Sequence, residues 1–234
     1  MSISENIAEV RACIESAARR AGRDPSAITL MAVSKTFPAE AILEAYSAGV
    51  RVFGENRVQE FAAKAGPLRE LGGAAFHFIG HLQSNKAAVA AELFDAVDSI
   101  DSVKLAEKLN AAAAELGKTL SVLIEINVGG EEAKSGLAMG SGELGKILIQ
   151  TEDWKNLSVQ GLMTVPPYAE DPEEARPYFR QLREICDKIA ARHLPRVSMD
   201  VLSMGMSHDF EVAIEEGSTC VRVGTAIFGN RLQK

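Results

Sequence analysis

Leu120-Ser121-Val122-Leu123-Ile124-Glu125-Ile126-Asn127-Val128 reads as one strand with two different faces. Successive side chains of a strand alternate sides. Val122, Ile124, Ile126 and Val128 therefore share one face, and Ser121, Leu123, Glu125 and Asn127 the other. The all-apolar face suits a layer of helices, and the mixed face suits an enclosed interior, which is what a barrel strand requires. Seven other β-rich runs occur, at 28–35, 50–55, 75–80, 96–100, 159–165, 198–204 and 220–228. Helical patterns separate them. An opening helix carries Ile7, Val10, Ile14 and Ala17 at three- and four-residue spacing, with Ser4 as its N-cap. Thr36 caps the helix after the first strand, Pro38 lies in its first turn and Gly49 stops it. Asp171-Pro172 opens the longest helix, with Phe179, Leu182, Ile185 and Ile189 on one face. A short helix runs from near Ser207 to Gly217.

Eight strands, each but the last followed by a helix, predict a single α/β domain over residues 1–234. Its fold is a (β/α)8 TIM barrel with an extra N-terminal helix. A doubly wound open sheet is the rival. It has fewer strands and often a Gly-rich fingerprint after the first; Lys35-Thr36-Phe37-Pro38 stands there instead.

The 234 residues hold 25 basic and 32 acidic side chains, a net charge of −7, so a nucleic-acid binder relying on excess Lys and Arg is not expected. With 47% hydrophobic and 24% charged residues the composition is that of a globular domain. Cys13, Cys186 and Cys220 are scattered, without metal-ligand or CxxC spacing, and read as reduced thiols. Met1-Ser2-Ile3-Ser4-Glu5-Asn6 lacks the basic-then-apolar pattern of a signal peptide, and no run approaches the roughly 18 apolar residues of a membrane span. A cytoplasmic protein is expected, monomeric or weakly dimeric.

Barrel sites form at the C-terminal ends of the strands, so candidate chemistry lies at those ends. Lys35 closes an otherwise apolar strand, on the face of Met31 and Val33. A partly desolvated lysine near another cation can attack an aldehyde as the free amine; the alternative is a snorkelling lysine whose ammonium reaches water. Ser203-Met204-Gly205-Met206-Ser207 joins strand seven to a helix start, with two hydroxyls, a permissive glycine and outward amides. Gly224-Thr225 on strand eight adds a close-approach backbone and a hydroxyl, in the region where barrels often bind phosphate. Turn geometry alone is the other reading of each glycine. Arg222 shares a face with Cys220 and points inward, either to an ion pair with Glu125 or to an acceptor on a ligand. Amine, phosphate cradle and inward arginine together fit pyridoxal 5′-phosphate (PLP). His77 and His81 share a strand face without helical geometry, so no metal site is read there. Lys134, in the loop after strand five, is a solvated lysine or a second cofactor-capturing amine.

Six runs then carry a resemblance: 32–36, Phe53-Gly54-Glu55-Asn56-Arg57-Val58-Gln59-Glu60, 77–86, Gly161-Leu162-Met163-Thr164, 203–210 and Val221-Arg222-Val223-Gly224-Thr225-Ala226-Ile227-Phe228-Gly229. Together they resemble the pyridoxal phosphate homeostasis proteins, relatives of the N-terminal barrel of alanine racemase, over nearly the whole chain. The resemblance implies PLP held as a Schiff base on Lys35 and Arg222 on its ring nitrogen, with Asn56 near the ring. It implies phosphate contacts from Ser203, Gly224 and Thr225, with backbone from Met204, Gly205 and Ser207. It also implies a non-catalytic carrier of PLP and related B6 vitamers, with PLP-dependent apo-enzymes as recipients and indirect effects on amino-acid and keto-acid metabolism. An arginine, always protonated, leaves the ring nitrogen neutral and the ring a weaker electron sink than an aspartate would. A racemase also needs a second acid–base group, and Tyr46, Tyr168 and Tyr178 lie in or near helices and loops rather than at strand ends. The alternatives are a PLP-dependent amino-acid racemase of narrow specificity and a Schiff-base aldolase or isomerase barrel without PLP.

Overall fold

Ser2, not Ser4, opens the first helix, α1 (Ile3–Arg20). The Ser2 hydroxyl accepts the Glu5 N–H at 3.2 Å while the Glu5 carboxylate takes the Ser2 N–H at 2.8 Å. This reciprocal capping box needs a Glu three residues after the cap; Ser4 has Ile7 at that position. The computed structural model describes residues 1–131 and 134–229. Along it follow β1 (Thr29–Val33), α2 (Ala39–Ser47), β2 (Val52–Glu55), α3 (Val58–Lys64), β3 (Ala75–Phe78) and α4 (Ala87–Leu93). Next come β4 (Ala96–Ile100), α5 (Val103–Glu115), β5 (Leu120–Asn127), β6 (Leu137–Ala138), α6 (Glu143–Gln150) and β7 (Leu157–Met163). The chain ends with α7 (Arg176–Ala190), β8 (Val197–Met206), α8 (Phe210–Glu215), β9 (Cys220–Val223) and α9 (Thr225–Phe228).

Eight parallel strands close in the order β4-β3-β2-β1-β9-β8-β7-β5, and β5 pairs back with β4. This is the (β/α)8 barrel. The two-residue β6, absent from the sequence reading, adds to the end of β5 at Ile126↔Leu137 and Asn127↔Ala138.

The two faces of β5 sort as the alternation requires. Val122, Ile124, Ile126 and Val128 join the core between barrel and helices, while Leu123 and Glu125 are buried on the other, inward side. Val221 and Val223 likewise face the helices, and Cys220 and Arg222 turn inward. In the outer core Phe61 packs on Phe94 (4.8 Å between centroids) and Phe76 (4.9 Å), each ring worth about 1.5–3 kcal/mol of burial. α1 packs in the outer helix layer against α8, α9 and α2: Arg20 pairs with Glu211 and Glu215 of α8, and the Asn6 amide donates to the Ile227 carbonyl of α9 at 2.8 Å.

Several boundaries differ from the pattern reading. β1 stops at Val33, two residues before Lys35, because Thr36 turns the chain with φ +70°. Pro38 rather than Thr36 holds the N-cap position of α2, without a side-chain cap. β8 runs two residues beyond the expected end at Met204, through the Gly205 read as a turn, to Met206, and takes up one extra residue against β9 between Ser203↔Cys220 and Met206↔Arg222. β9 ends at Val223, and the last stretch of the expected strand is α9. Asp171 caps a 3-10 turn (Pro172–Ala175) ahead of α7, so the 18-residue α1 is longer than the 15-residue α7. Among the described residues no helix is long and apolar enough to cross a membrane.

Candidate cofactor site

β1 and β9 are neighbouring staves, with Ala32 opposite Val223. Lys35 and Gly224 therefore leave the barrel side by side at its C-terminal rim. Lys35, half-buried, sits in a turn closed by the Phe37 N–H on the Ser34 carbonyl at 3.1 Å. The Ser34 N–H is in turn held by the Gly54 carbonyl of β2 at 3.0 Å.

On the β9 side, Gly224 leads into α9. The Gly224 and Ala226 N–H groups both donate to the Ser207 hydroxyl, at 3.2 and 3.3 Å, and Ser207 comes from the turn after β8. Two amides and a hydroxyl thus meet beside the exposed Thr225. The ring of Phe37 stacks on Phe228 of α9 at 4.9 Å, tying the lysine turn to this cluster.

One layer deeper lies Arg222, only 3% exposed. It donates to the Ser203 hydroxyl and to the Thr164 carbonyl, both at 2.7 Å, and the Thr164 hydroxyl donates to the Ile126 carbonyl at 2.6 Å. Among the described residues Arg222 makes no ion pair with Glu125, so the first of its two sequence readings is not realised. Burial pushes the guanidinium below its ordinary value; Cys220, Asp98, Glu125 and Asp209 oppose this, and an arginine stays charged throughout. Ser203 is fully buried as an Arg222 acceptor, which departs from the direct phosphate contact implied for it. Met204 packs into the helix-facing core and its carbonyl takes the Ser218 hydroxyl at 2.8 Å. Gly205 has φ +91°, and a Cβ there would lie 2.5 Å from the Ala213 Cβ, so close packing on α8 explains this glycine. The structure therefore gathers Lys35, Ser207, Gly224 and Thr225 at the rim, sets Arg222 with Ser203 below them, and turns Met204 and Gly205 toward α8.

Among the described residues four buried side-chain atoms lack a hydrogen-bond partner, Glu55 Oε2, Asn56 Oδ1, the Ser99 hydroxyl and Glu125 Oε2, and two of them bear on the site. Asn56, just after β2, has an unpartnered Oδ1, and Gly80 leaves room for its backbone: a Cβ there would stand 2.5 Å from the Asn56 carbonyl oxygen. Glu125 is 4% exposed; the Ser135 hydroxyl donates to its Oε1 at 3.0 Å and its Oε2 has no partner. Burial pushes this carboxyl above the usual range, with the Ser135 hydrogen bond and the Arg222 charge in opposition. The folded state then binds the proton more tightly than the unfolded chain. The contribution to stability is full below the ordinary value of 4.5 and is lost as pH rises through the raised one. Glu125→Gln removes that loss. Thermal melts are expected to show the variant gaining on the wild type as pH rises from about 4.5 to neutrality; a pH-independent difference contradicts this.

The remaining candidates are accounted for locally. His77 pairs with Asp98 and His81 with Asp101, each at 3.0 Å, so the two rings do not converge. Lys134 is tied to Glu131 and to the Pro166 carbonyl, the latter at 3.0 Å. Burial pushes the Cys186 and Cys220 thiols up to about 11 and about 12, leaving them unreactive. Tyr46 donates to the Gly72 carbonyl at 2.8 Å, and Tyr168 lies exposed on the rim, its ring 5.7 Å from that of His208. The sequence reading gave no role to Thr164 or Lys64. Thr164 acts through a backbone carbonyl, which leaves no trace in residue type. Lys64 had one signal, its position four residues after Glu60 on a helix facing the barrel.

Residues 5–231 match the family described as alanine racemase, N-terminal domain. The chain belongs to that family. Within the alanine racemase N-terminal domain family it is similar to proteins named pyridoxal phosphate homeostasis protein. That of Aquifex aeolicus is 45% identical over 231 residues, covering 99% of each chain. That of Escherichia coli K12 is 45% identical over 231 residues, covering 98% of this chain and 97% of that one. Among solved structures, PipY of Synechococcus elongatus with PLP bound superposes with a TM-score of 0.85 at 37% identity, over 97% of this chain and 100% of that one. Alanine racemase of Streptomyces coelicolor shares the fold at 20% identity and a TM-score of 0.68, and this chain spans 58% of it.

Proposed function

We propose that this chain binds pyridoxal 5′-phosphate and serves its homeostasis as a carrier that stores the cofactor and hands it to apo-enzymes. The observation that carries the reading is the pairing of β1 with β9, which sets an amine beside converging amides and a hydroxyl on one rim. The PLP-bound relative at 37% identity supports the choice of ligand. The residues fit the group: the rim offers donors for a phosphate, and Asn56 has a buried oxygen in want of a donor.

Lys35 would hold the cofactor covalently, its nitrogen replacing the aldehyde oxygen as one water is lost. Ser207, Gly224 and Thr225 would hold the phosphate, with backbone of the 204–207 segment beside them. Arg222 would donate to the ring nitrogen, and Ser203 with the Thr164 carbonyl fixes its orientation. The bound group supplies an aldehyde carbon and an electron-accepting ring. A protonated arginine on that ring keeps its nitrogen unprotonated and so weakens the electron sink. Storage and transfer suit such a site better than carbanion chemistry does.

Titration with PLP and with pyridoxal, which lacks the phosphate, tests the reading. The wild type is expected to prefer PLP strongly. Ser207→Ala is expected to lose roughly tenfold of that preference, the worth of one hydrogen bond to a charged group. Equal affinity of the wild type for both vitamers would overturn the assignment of the rim cluster.

A further inference from the structure

The turn that carries Lys35 is gripped from outside the barrel by α3. Lys64, the last residue of that helix, has a side chain only 10% exposed. Its ammonium donates to the Ser34 carbonyl at 3.1 Å and the Phe37 carbonyl at 3.0 Å, the two carbonyls that bracket Lys35 and Thr36. It also pairs with Glu55 at 2.8 Å and with Glu60 at 3.3 Å. Glu55 is fully buried and accepts the Ser34 hydroxyl at 2.6 Å as well. Glu60, one helical turn before Lys64, accepts the Thr36 N–H.

This arrangement is costly unless something requires it. A lysine that only covered apolar surface would carry its head out to water. Lys64 instead buries it against another lysine's flanking carbonyls. Thr36 holds φ +70°, a region that β-branched residues avoid and that costs about 1–3 kcal/mol. Such a conformation persists only where its surroundings over-determine it. Here Glu60 fixes the Thr36 N–H, and Lys64 fixes the carbonyls on either side.

We propose that Lys64, assisted by Glu60, is a positioning residue that locks the 34–37 turn so that the Lys35 amine is presented to the aldehyde of the cofactor. Neither residue touches the cofactor in this role. The inference rests on the reading of Lys35 given under Proposed function.

The test uses two ligands that share ring and phosphate. PLP can join Lys35; pyridoxamine 5′-phosphate has no aldehyde and cannot. Lys64→Met and Glu60→Ala, which removes the acceptor of the Thr36 N–H, are each expected to weaken PLP binding by roughly tenfold or more while leaving pyridoxamine 5′-phosphate within about twofold of wild type. Lys64→Arg is expected to recover most of the PLP affinity. Equal weakening of both ligands, or no change for PLP in a folded variant, overturns the proposal. Lys64→Met strands the buried Glu55 and can fail to fold; Glu60→Ala, at a side chain 27% exposed, then decides the matter with Lys64→Arg. Should Lys35→Ala bind PLP as tightly as the wild type, the fault lies with the Lys35 reading itself and not with Lys64.

Discussion

Lys35→Ala is expected to abolish borohydride-fixable PLP and the visible absorption of the loaded protein, and to weaken PLP binding by a factor on the order of 100, about 2.7 kcal/mol. The loss is not expected to be total because the phosphate contacts proposed above do not depend on the lysine. Ser207 is held by the Gly224 and Ala226 amides on the neighbouring stave, and Arg222 by Ser203 and Thr164. The melting temperature is expected to change far less than the affinity, since Lys35 lies in a turn and contributes no side chain to the apolar core. Titration followed by absorbance, with a thermal melt of the same sample, separates the two effects. A variant that keeps the absorption band places the reactive amine elsewhere.

Gly161→Ala is expected to be the most damaging single substitution to the fold itself. Gly161 lies in β7 opposite Val201 of β8, just past a register shift after Val159. A Cβ there would stand 1.7 Å from the Val201 carbonyl oxygen and 2.6 Å from its carbon. Both atoms are backbone of the adjacent stave, so no side-chain rotation relieves the clash. The two strands must separate and break the barrel ladder. A destabilisation above about 4 kcal/mol, the range reserved for a broken backbone or core, is expected. At roughly 2–4 °C per kcal/mol for a chain of this size, Tm falls by about 10 °C, or the protein is recovered insoluble. Gly145→Ala is the control. It lies inside α6 with nothing within 4 Å of the added methyl, and is expected to stabilise by about 0.5–1 kcal/mol. Equal melting temperatures for Gly161→Ala and wild type would mean that β7 and β8 are not packed as described.

Where the sequence was legible, one local rule fixed the answer. Alternation alone assigned Leu123 and Glu125 to the interior and Val221 and Val223 to the helices, because a strand side chain has only two directions to take. The start of α1 turns on Glu5, three residues from its cap, but the boundaries at the site depend on partners far along the chain. β1 stops at Val33 because Thr36 adopts φ +70° under the grip of Glu60 and Lys64, some two dozen residues away. β8 takes up one extra residue between Ser203 and Met206, in a stretch where α8 leaves no space for a side chain at Gly205. Ser203 and Ser207 read alike as two hydroxyls of one loop. The fold separates them: Ser203 points down onto Arg222, and Ser207 sits on amides 17 and 19 residues later. Residue type suggested the chemistry, and register decided which hydroxyl reaches the rim beside Gly224 and which lies buried on Arg222.

The most direct measurement is borohydride reduction of the PLP-loaded protein followed by peptide mapping. The expected result is a single pyridoxyl group on the peptide containing Lys35, absent when PLP is omitted. A pyridoxyl group found instead on Lys134, Lys64 or any other amine, with Lys35 unmodified, would contradict the site as built on the β1 and β9 rim.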